Sequence, residues 1–360
     1  MTKLKVLVCA PLPPPKGGIA TWVDELSYAN EILDLVDLHF FNTASKRKAG
    51  VYSISNKFIS GVFSIFRQYL NFRDALTSVQ PQVVHLSTSG GFAHFRDILF
   101  TLLSKTRKIK VVVQLHYGVN DAEYKWIPLS KYLLKIIILI ADKVLVLDKS
   151  FVAKSSSKSK NVTLSFNGIT PKTVINIQNK NNEIIFVGWI IEQKGIFDLV
   201  NAWNRVTQKN NWKLRIIGPA LPKENLQLVG VLDESTTEYC GELSRDEVIE
   251  HIDRAKVFVL PSHTEGFPFA VLEAMERQLA IIVSDVGGMN QLFSKKEKPG
   301  WLMEPQNTDI LVNILSDITQ PNNSVEKFAK VARELLVNEF TSIKMLKSLH
   351  VVWMFKDTDK

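Results

Sequence analysis

Apolar and polar positions along the chain repeat one theme. Short runs of β-branched and aliphatic residues are each followed by a stretch with helical spacing, the signature of parallel α/β sheets. In the first half the pattern predicts strands at Lys5–Ala10, Val36–Phe41, Gln82–Leu86, Lys110–Leu115, Lys143–Leu147 and Val162–Phe166. In the second half it predicts Glu183–Val187, Lys213–Ile217, Thr237–Cys240, Lys256–Leu260, Ala280–Ser284 and Trp301–Met303. Thr170 to Asn182 is polar and asparagine-rich and reads as the linker. Two doubly wound domains in sequence predict ligand binding beyond the carboxyl ends of their strands, in a cleft between them.

The stretch Pro261 to Phe293 concentrates the punctuation. It follows the apolar run Lys256–Leu260, turns through Gly266, and enters a helix with Pro268 near its first turn, where a missing N–H and a fixed φ do no harm. Ile281–Val283 is the next buried run and ends at Val286-Gly287-Gly288. Glu265 and Glu273 stand in a Glu-x7-Glu spacing, one in the turn and one in the helix. Strand, glycine turn and helix start together form a place where backbone N–H groups can meet an anion. Elsewhere, Lys57 to Arg73 is helical in period, Phe-rich and basic at both ends. It reads as a core-packed helix or as an interfacial helix on anionic lipid. Two helices are expected at Val325–Asn338 and Ser342–Phe355, the second apolar enough to be docked.

Composition narrows the class. A length of 360 residues favours two domains, and 46% hydrophobic with 22% charged residues is globular. Cys9 and Cys240 lie far apart and match neither a disulfide framework nor a zinc spacing, which suits a reducing compartment. The apolar run near the N-terminus is too short for an export signal, and Ile136–Ala141 is far short of a membrane span. Charge is divided unevenly. Residues 1–170 hold 22 Lys+Arg against 11 Asp+Glu, and residues 171–360 hold 22 against 25. A basic half beside a near-neutral one predicts an anionic surface or substrate for the first half. No zinc finger, RNA-binding signature or sustained basic helix favours nucleic acid.

Candidate chemistry sits in the loops. Pro11 to Thr21 follows the first strand and is neither a dinucleotide fingerprint nor a triphosphate loop. Gly17-Gly18 leaves room for a phosphate to approach the backbone, or makes a plain turn. Gly188 closes the strand Glu183–Val187, and Lys194-Gly195 precedes the next helix, where a lysine suits a phosphate. His116 ends the strand Lys110–Leu115 and His85 occupies a similar place one strand earlier. Each is a hydroxyl-binding candidate or a satisfied core histidine. The other histidines show no metal-ligand spacing, and Asp357-Thr358-Asp359 reads as a solvated tail rather than a metal motif.

The segment SHTEGFPFAVLEAM resembles the Glu-x7-Glu signature of retaining GT-B glycosyltransferases of family 4, the glycosyl transferases group 1. Six further segments match that family in order: PPPKGGIATWVDEL, QLHYG, SFNGI, FVGWIIEQKG, RIIGPA and YCGELSRDEV. The resemblance covers nearly the whole chain and implies a GT-B fold, two Rossmann-like domains facing across a cleft. Its acceptor-binding domain would span residues 1–170 and its nucleotide-sugar-binding domain 171–340. The helix and tail at 341–360 would dock on the first. It implies a hexosyltransferase-type enzyme that moves a sugar from a UDP- or GDP-linked donor, keeping the anomeric configuration, without metal or cofactor. By that resemblance Glu265 accepts from the sugar hydroxyls, Glu273 holds the ribose and Lys194 neutralises the diphosphate. Gly17, Gly18, Gly188, Trp189, Gly266, Phe267, Pro268 and Phe269 surround the donor. His116 contacts the sugar near the reacting carbon, and the loop from Gly241 to Leu243 meets the base. The leaving phosphate then takes the acceptor's proton, so the two carboxylates are not the nucleophile and acid of a hydrolase.

Four positions depart from the family pattern. Trp189 stands where an arginine is usual, which removes a charge-assisted contact of about 1.5–3 kcal/mol. Pro268 replaces a glycine and with it one N–H. A glycine usual before the Ile281 strand is replaced within Glu276–Leu279, and Gln291 stands for a glutamate. With the basic first half, the expected acceptor is a lipid-linked glycan of cell-surface polysaccharide such as O-antigen or capsule. The expected location is cytoplasmic, peripheral on the inner face of the membrane. A non-catalytic GT-B partner subunit and a GT-B nucleotide-sugar epimerase are the alternatives.

Overall fold

The computed structural model describes residues 3–13, 17–44, 54–91, 93–118, 128–156, 159–172 and 180–355. Each of the twelve expected strands is present, and the chain divides into two compact units. The first is Met1–Gly168 together with Ser342–Lys360, and the second is Ile169–Thr341.

The sheet of the first unit contains β1 (Leu4–Ala10), β2 (Val36–Asn42), β3 (Val83–Thr88), β4 (Lys110–Leu115), β5 (Lys143–Val146) and β6 (Val162–Leu164) in the order β2-β1-β3-β4-β5-β6. Every ladder is parallel. Strands covered on both faces read as unbroken apolar runs, which is why their positions were legible. One face packs on α2 (Ile54–Val79), α3 (Ala93–Thr106) and α4 (Pro128–Ile140) through Leu7, Leu86, Val113 and Val146. There the rings of Phe72 and Phe100 stack at 4.0 Å with Phe41 edge-on to both. The opposite face carries Val8, His85 and Val112, which are register partners, and is covered by α1 (Gly18–Leu33) and α13 (Ser342–Trp353). The apolar C-terminal helix is therefore docked on the first unit, with Trp353 only 1% exposed.

In the second unit β7 (Glu183–Val187), β8 (Lys213–Ile217), β9 (Thr237–Tyr239), β10 (Val257–Leu260), β11 (Ala280–Ser284) and β12 (Gly300–Met303) lie in the order β12-β11-β10-β7-β8-β9. Counted within the unit this is 6-5-4-1-2-3, the Rossmann order, and its topological switch point falls between β7 and β10. The first unit's order is instead the flavodoxin-like one, with its switch point between β1 and β3. The stretch expected to be a linker belongs to the second unit at its described ends. Lys172 donates its N–H to Glu276 (2.7 Å), and its carbonyl accepts from Arg333 (2.7 Å). Lys180 Nζ donates to the carbonyls of Asp253 (3.1 Å) and Ala255 (2.7 Å).

Helix α9 (Phe269–Glu276) follows β10. Pro268 is its N-cap, with φ −70° and ψ 133°, one position earlier than a first-turn proline. The helix ends in a Schellman motif: Leu279 N–H reaches the Ala274 carbonyl (3.0 Å) and Gln278 N–H that of Met275 (3.0 Å). The residue at the left-handed position is Gln278, φ 58°. Its backbone is thus the kind for which glycine is the usual solution.

Candidate functional site

Two loops meet at the switch point of the second unit. One leaves β7 through Gly188 and Trp189, makes a 3-10 turn at Glu192–Lys194, and enters α6 (Ile196–Arg205) at Gly195. The other leaves β10 at Pro261 and runs to α9. Gly195 has φ +67°, and a Cβ there would stand 2.0 Å from the Pro261 carbonyl oxygen. Only glycine lets the loops approach this closely. On the far side, Gly287 (φ +57°) lies so near Glu265 and Gly266 that a Cβ would meet their carbonyl oxygens at 2.1 and 2.4 Å. The Gly288 N–H donates to the Gly266 carbonyl at 2.7 Å. Glu265 is thus held by backbone contacts from both flanks.

Its carboxylate is equally confined. Lys194 Nζ donates to Glu265 Oε1 at 2.5 Å, and Ser262 Oγ donates to the same oxygen at 2.9 Å. The Glu265 side chain is only 10% exposed and Lys194 25%, so the lysine is the more accessible member of the pair. Beside it His263 donates its N–H to the Gln193 carbonyl (2.9 Å), while its Nε2 meets Asp198 Oδ2 at 2.6 Å. This third tie between the loops escaped the sequence reading, as did Ser262. Only the segment Ser262–Glu265, read as a turn with serine three residues before a carboxylate, held a hint of it.

Glu273 lies one turn into α9, and its Oε1 accepts from Arg245 Nη2 at 3.3 Å. Arg245 opens α8 (Arg245–Arg254), fixed by a capping box in which Ser244 and Glu247 exchange hydrogen bonds. The two carboxylates therefore have separate cationic partners, and Arg245 is a residue that spacing could not have supplied. Phe267 and Phe269 are 2% and 7% exposed, so their side chains belong to the core. No side chain caps the start of α9, and the Val271 N–H turns back to the Pro268 carbonyl (3.3 Å), so the N–H groups a ligand could meet there are those of Phe269 and Ala270. Trp189 is 54% exposed at the end of β7.

A groove of about 490 Å³ opens at the ends of β8 and β9, lined by Pro219, Ala220, Tyr239, Gly241 and Glu242. Gly218 (φ +149°) makes it by lying against Gly188, where a Cβ would be 1.8 Å from the carbonyl oxygen. The Gly218 N–H donates to the Gly241 carbonyl at 2.8 Å, and Tyr239 Oη donates to the Gly218 carbonyl at 3.0 Å. Leu243 is half-buried just beyond.

In the first unit Gly17 has an extended φ of 173°, and its carbonyl starts α1 by accepting from the Thr21 N–H (3.0 Å). A Cβ at Gly17 or Gly18 would meet nothing within 4 Å, so the space beside both is open. His116 directly follows β4, and its Nε2 is buried without a hydrogen-bond partner. Its ring stands edge-on to Trp22 at 5.1 Å. Burial, and then the neighbouring His85, push its pKa down to about 3. His85 is not at a strand end, as the sequence suggested, because β3 continues to Thr88. Its ring is stacked on Trp22 at 5.2 Å and accepts at Nδ1 from Trp353 Nε1 at 3.0 Å. An indole N–H can only donate, so the neutral imidazole carries its proton on Nε2. Burial pushes this pKa too down to about 3, opposed by Gln114. His85 is a core histidine. Among the described residues no cluster of three or more His, Cys, Asp or Glu side chains could hold a metal ion. Asp357 and Asp359 lie outside those residues.

Residues 170–335 match the family model described as Glycosyl transferases group 1. The matched residues lie within the second unit. An uncharacterized glycosyltransferase of Haemophilus influenzae is 29% identical over 60% of this chain and 62% of its own length. A putative teichuronic acid biosynthesis glycosyltransferase of Bacillus subtilis, TuaC, is 27% identical over 46% of this chain and 40% of its own. The chain thus spans less than two thirds of either relative. In fold it is similar to Anabaena HepE in complex with UDP, with a TM-score of 0.71 at 14% identity, covering 98% of this chain and 100% of that one. The fold is GT-B. The group 1 domain coincides with the unit that holds Lys194, Glu265, Glu273 and the groove beside Gly241.

Proposed function

We propose that the chain is a retaining, metal-independent glycosyltransferase. Its donor is a UDP- or GDP-linked sugar and its acceptor a lipid-linked glycan in cell-surface polysaccharide biosynthesis. The observation that carries this reading is the Lys194–Glu265 pair at the switch point of a Rossmann-ordered sheet, where such sheets hold nucleotides. In this reading a diphosphate draws Lys194 from Glu265, and the freed carboxylate oxygen accepts from the sugar's hydroxyls. The first N–H groups of α9 and the lysine stabilise the departing diphosphate, which receives the acceptor's proton. Glu273 holds the ribose beside Arg245, and the groove beside Gly241 takes the base. The first unit's Gly17, Gly18 and His116 are assigned hydrogen bonds to the donor. Buried His116 enters them neutral.

Support for the donor comes from a relative in fold that was crystallised with UDP. Support for the pathway comes from a relative named for teichuronic acid biosynthesis. No described helix is long and apolar enough to cross a membrane. The charge of the first half, 22 Lys+Arg against 11 Asp+Glu in residues 1–170, supports peripheral contact with the anionic inner face of the cytoplasmic membrane.

Thermal shift against a panel of nucleotide sugars tests the reading. The cognate donor at a hundred times its Kd adds about 2.7 kcal/mol. Transfer to a lipid-linked acceptor follows, with the anomeric configuration of the product read by NMR and the reaction repeated in EDTA. Inversion would remove the retaining assignment, and loss in EDTA the metal-independent one. Stabilisation by no nucleoside diphosphate would end the proposal as a whole. Donor binding without transfer or hydrolysis is the signature of a non-catalytic partner subunit, the reading favoured by Trp189 in place of a cation.

A further inference from the structure

Helix α3 of the first unit is amphipathic the wrong way round for a helix facing water. Its inner side buries His94, Asp97, Thr101 and Ser104 beside Phe100. Most of their polar atoms find partners in place, although Asp97 Oδ2 is buried without one. His94 meets Tyr117 Oη (2.9 Å) and Ser130 Oγ (3.2 Å), and Asp97 accepts twice from Arg96 (2.6 and 2.9 Å). Thr101 and Ser104 donate to carbonyls one turn back. The outward stripe, at helical spacing, is Phe95 (41% exposed), Leu99 (39%) and Leu102 (48%). Helix α4 packs against α3, and Ser130 is one of the ties. It repeats the pattern with Leu129, Tyr132, Ile136 and Leu139, the last 83% exposed. Two neighbouring helices thus supply seven of the nineteen exposed large hydrophobic side chains among the described residues. Such a concentration marks a contact surface rather than the usual scatter.

The charges around these stripes choose the partner. Lys131 and Lys135 are exposed on α4, and Lys135 lies over the Tyr132 ring at 5.5 Å. Lys105, Arg107 and Lys108 are exposed at the end of α3. The only acid on either helix is Asp97, fully buried against Arg96. Just past α4, Asp142 is taken by Lys105 (2.8 Å). A second copy of the chain would bring one basic, apolar face against another, which like charge opposes. An anionic bilayer offers both complements at once, headgroup charge for the lysines and an acyl boundary for the leucines.

We propose that the outer faces of α3 and α4 are the surface on which the protein rests on an anionic phospholipid bilayer. The inference deepens the membrane part of the reading above. It moves the contact from Lys57–Arg73, whose first side chains lie outside the described residues, to the helices that follow. It does not depend on which sugar is transferred, or on whether one is.

Flotation of the full chain with phosphatidylcholine vesicles, with and without phosphatidylglycerol, tests it. Binding is expected only with the anionic lipid and is expected to weaken at high salt. The double variant Ile136→Glu/Leu139→Glu should lower vesicle affinity by about tenfold or more, since it buries charge in place of apolar surface. Lys131→Glu/Lys135→Glu should lower it comparably while replacing no apolar side chain. Both should keep the wild-type thermal midpoint and donor-induced thermal shift, which separates failure of this surface from failure of the transferase reading. Absence of binding to anionic vesicles at low salt overturns the proposal. So does binding that neither variant alters, or a wild-type dimer that both variants split without changing vesicle binding.

Discussion

Replacing Gly195 by alanine tests whether the two switch-point loops are held by contact. The substitution has two separable costs. A residue with a Cβ at φ +67° sits in the left-handed region, which costs about 1–2 kcal/mol. The new methyl would also stand 2.0 Å from the Pro261 oxygen. The carbonyl must retreat by more than an ångström, an overpacking of about 1–3 kcal/mol. The sum is roughly 2–5 kcal/mol, or about 4–20 °C in the midpoint of a unit this size. Gly241→Ala separates the terms, because its φ is +70° but a Cβ there meets nothing within 4 Å. It should lose only the conformational part, roughly 2–8 °C. Gly18→Ala, with open space and no left-handed φ, should leave the midpoint unchanged or slightly raised. Differential scanning calorimetry of the three variants reads the series. Because Pro261 carries Ser262 and Gly195 follows Lys194, Gly195→Ala should also weaken nucleotide-sugar binding, whereas Gly18→Ala should leave the second unit's midpoint alone. Equal midpoints for Gly195→Ala and Gly241→Ala would show that the loops do not touch as described.

Three further outcomes are expected. Gln278→Gly should stabilise the second unit by roughly 0.5–1 kcal/mol in urea denaturation, by removing the strained left-handed side chain at the end of α9; a loss of stability would contradict the Schellman geometry. Lys194→Met should raise the Kd for the donor about 10–100-fold, the loss of a charge-assisted contact worth about 1.5–3 kcal/mol. Its binding of the bare nucleoside should barely change, and equal losses for both would place the lysine away from the diphosphate. His85 and His116 titrate near 3 when folded against 6.5 unfolded. Below pH 6.5 the unfolded chain therefore binds protons that the native state refuses. Their effect is absent above pH 6.5 and grows as pH falls toward 3, reaching roughly 2 kcal/mol per histidine at pH 5. Denaturation curves at pH 7.5 and 5 that superimpose would sink this.

The strands were legible because parallel strands buried on both sides leave uninterrupted apolar runs such as Ala280–Ser284, fully buried in the structure. Their order was not, since nothing local in Val257–Leu260 says that it lies beside β7. For the same reason the sequence could offer Lys194 and Glu265 only as separate candidates, although 71 residues of chain fold back to join them. Helix α3 was hidden by its inverted pattern. Periodicity finds an apolar stripe but cannot say which way it faces when inward polar groups bond to neighbouring elements and to the helix's own carbonyls. His85 was misplaced by proximity to the strand end, because the partner that makes it a core residue, Trp353, lies 268 positions away.

That last bond has a consequence for how the protein comes into being. Residues 1–168 do not complete the first unit by themselves: the Trp22–His85 stack lacks its Trp353 contact until Ser342–Trp353 emerges, after the entire second unit has been synthesised. The second unit, continuous from Ile169 to Thr341, waits for nothing downstream. Order of synthesis and order of completion are therefore reversed, and the half made first is finished last. During that interval its unfinished face is the one a chaperone would find exposed.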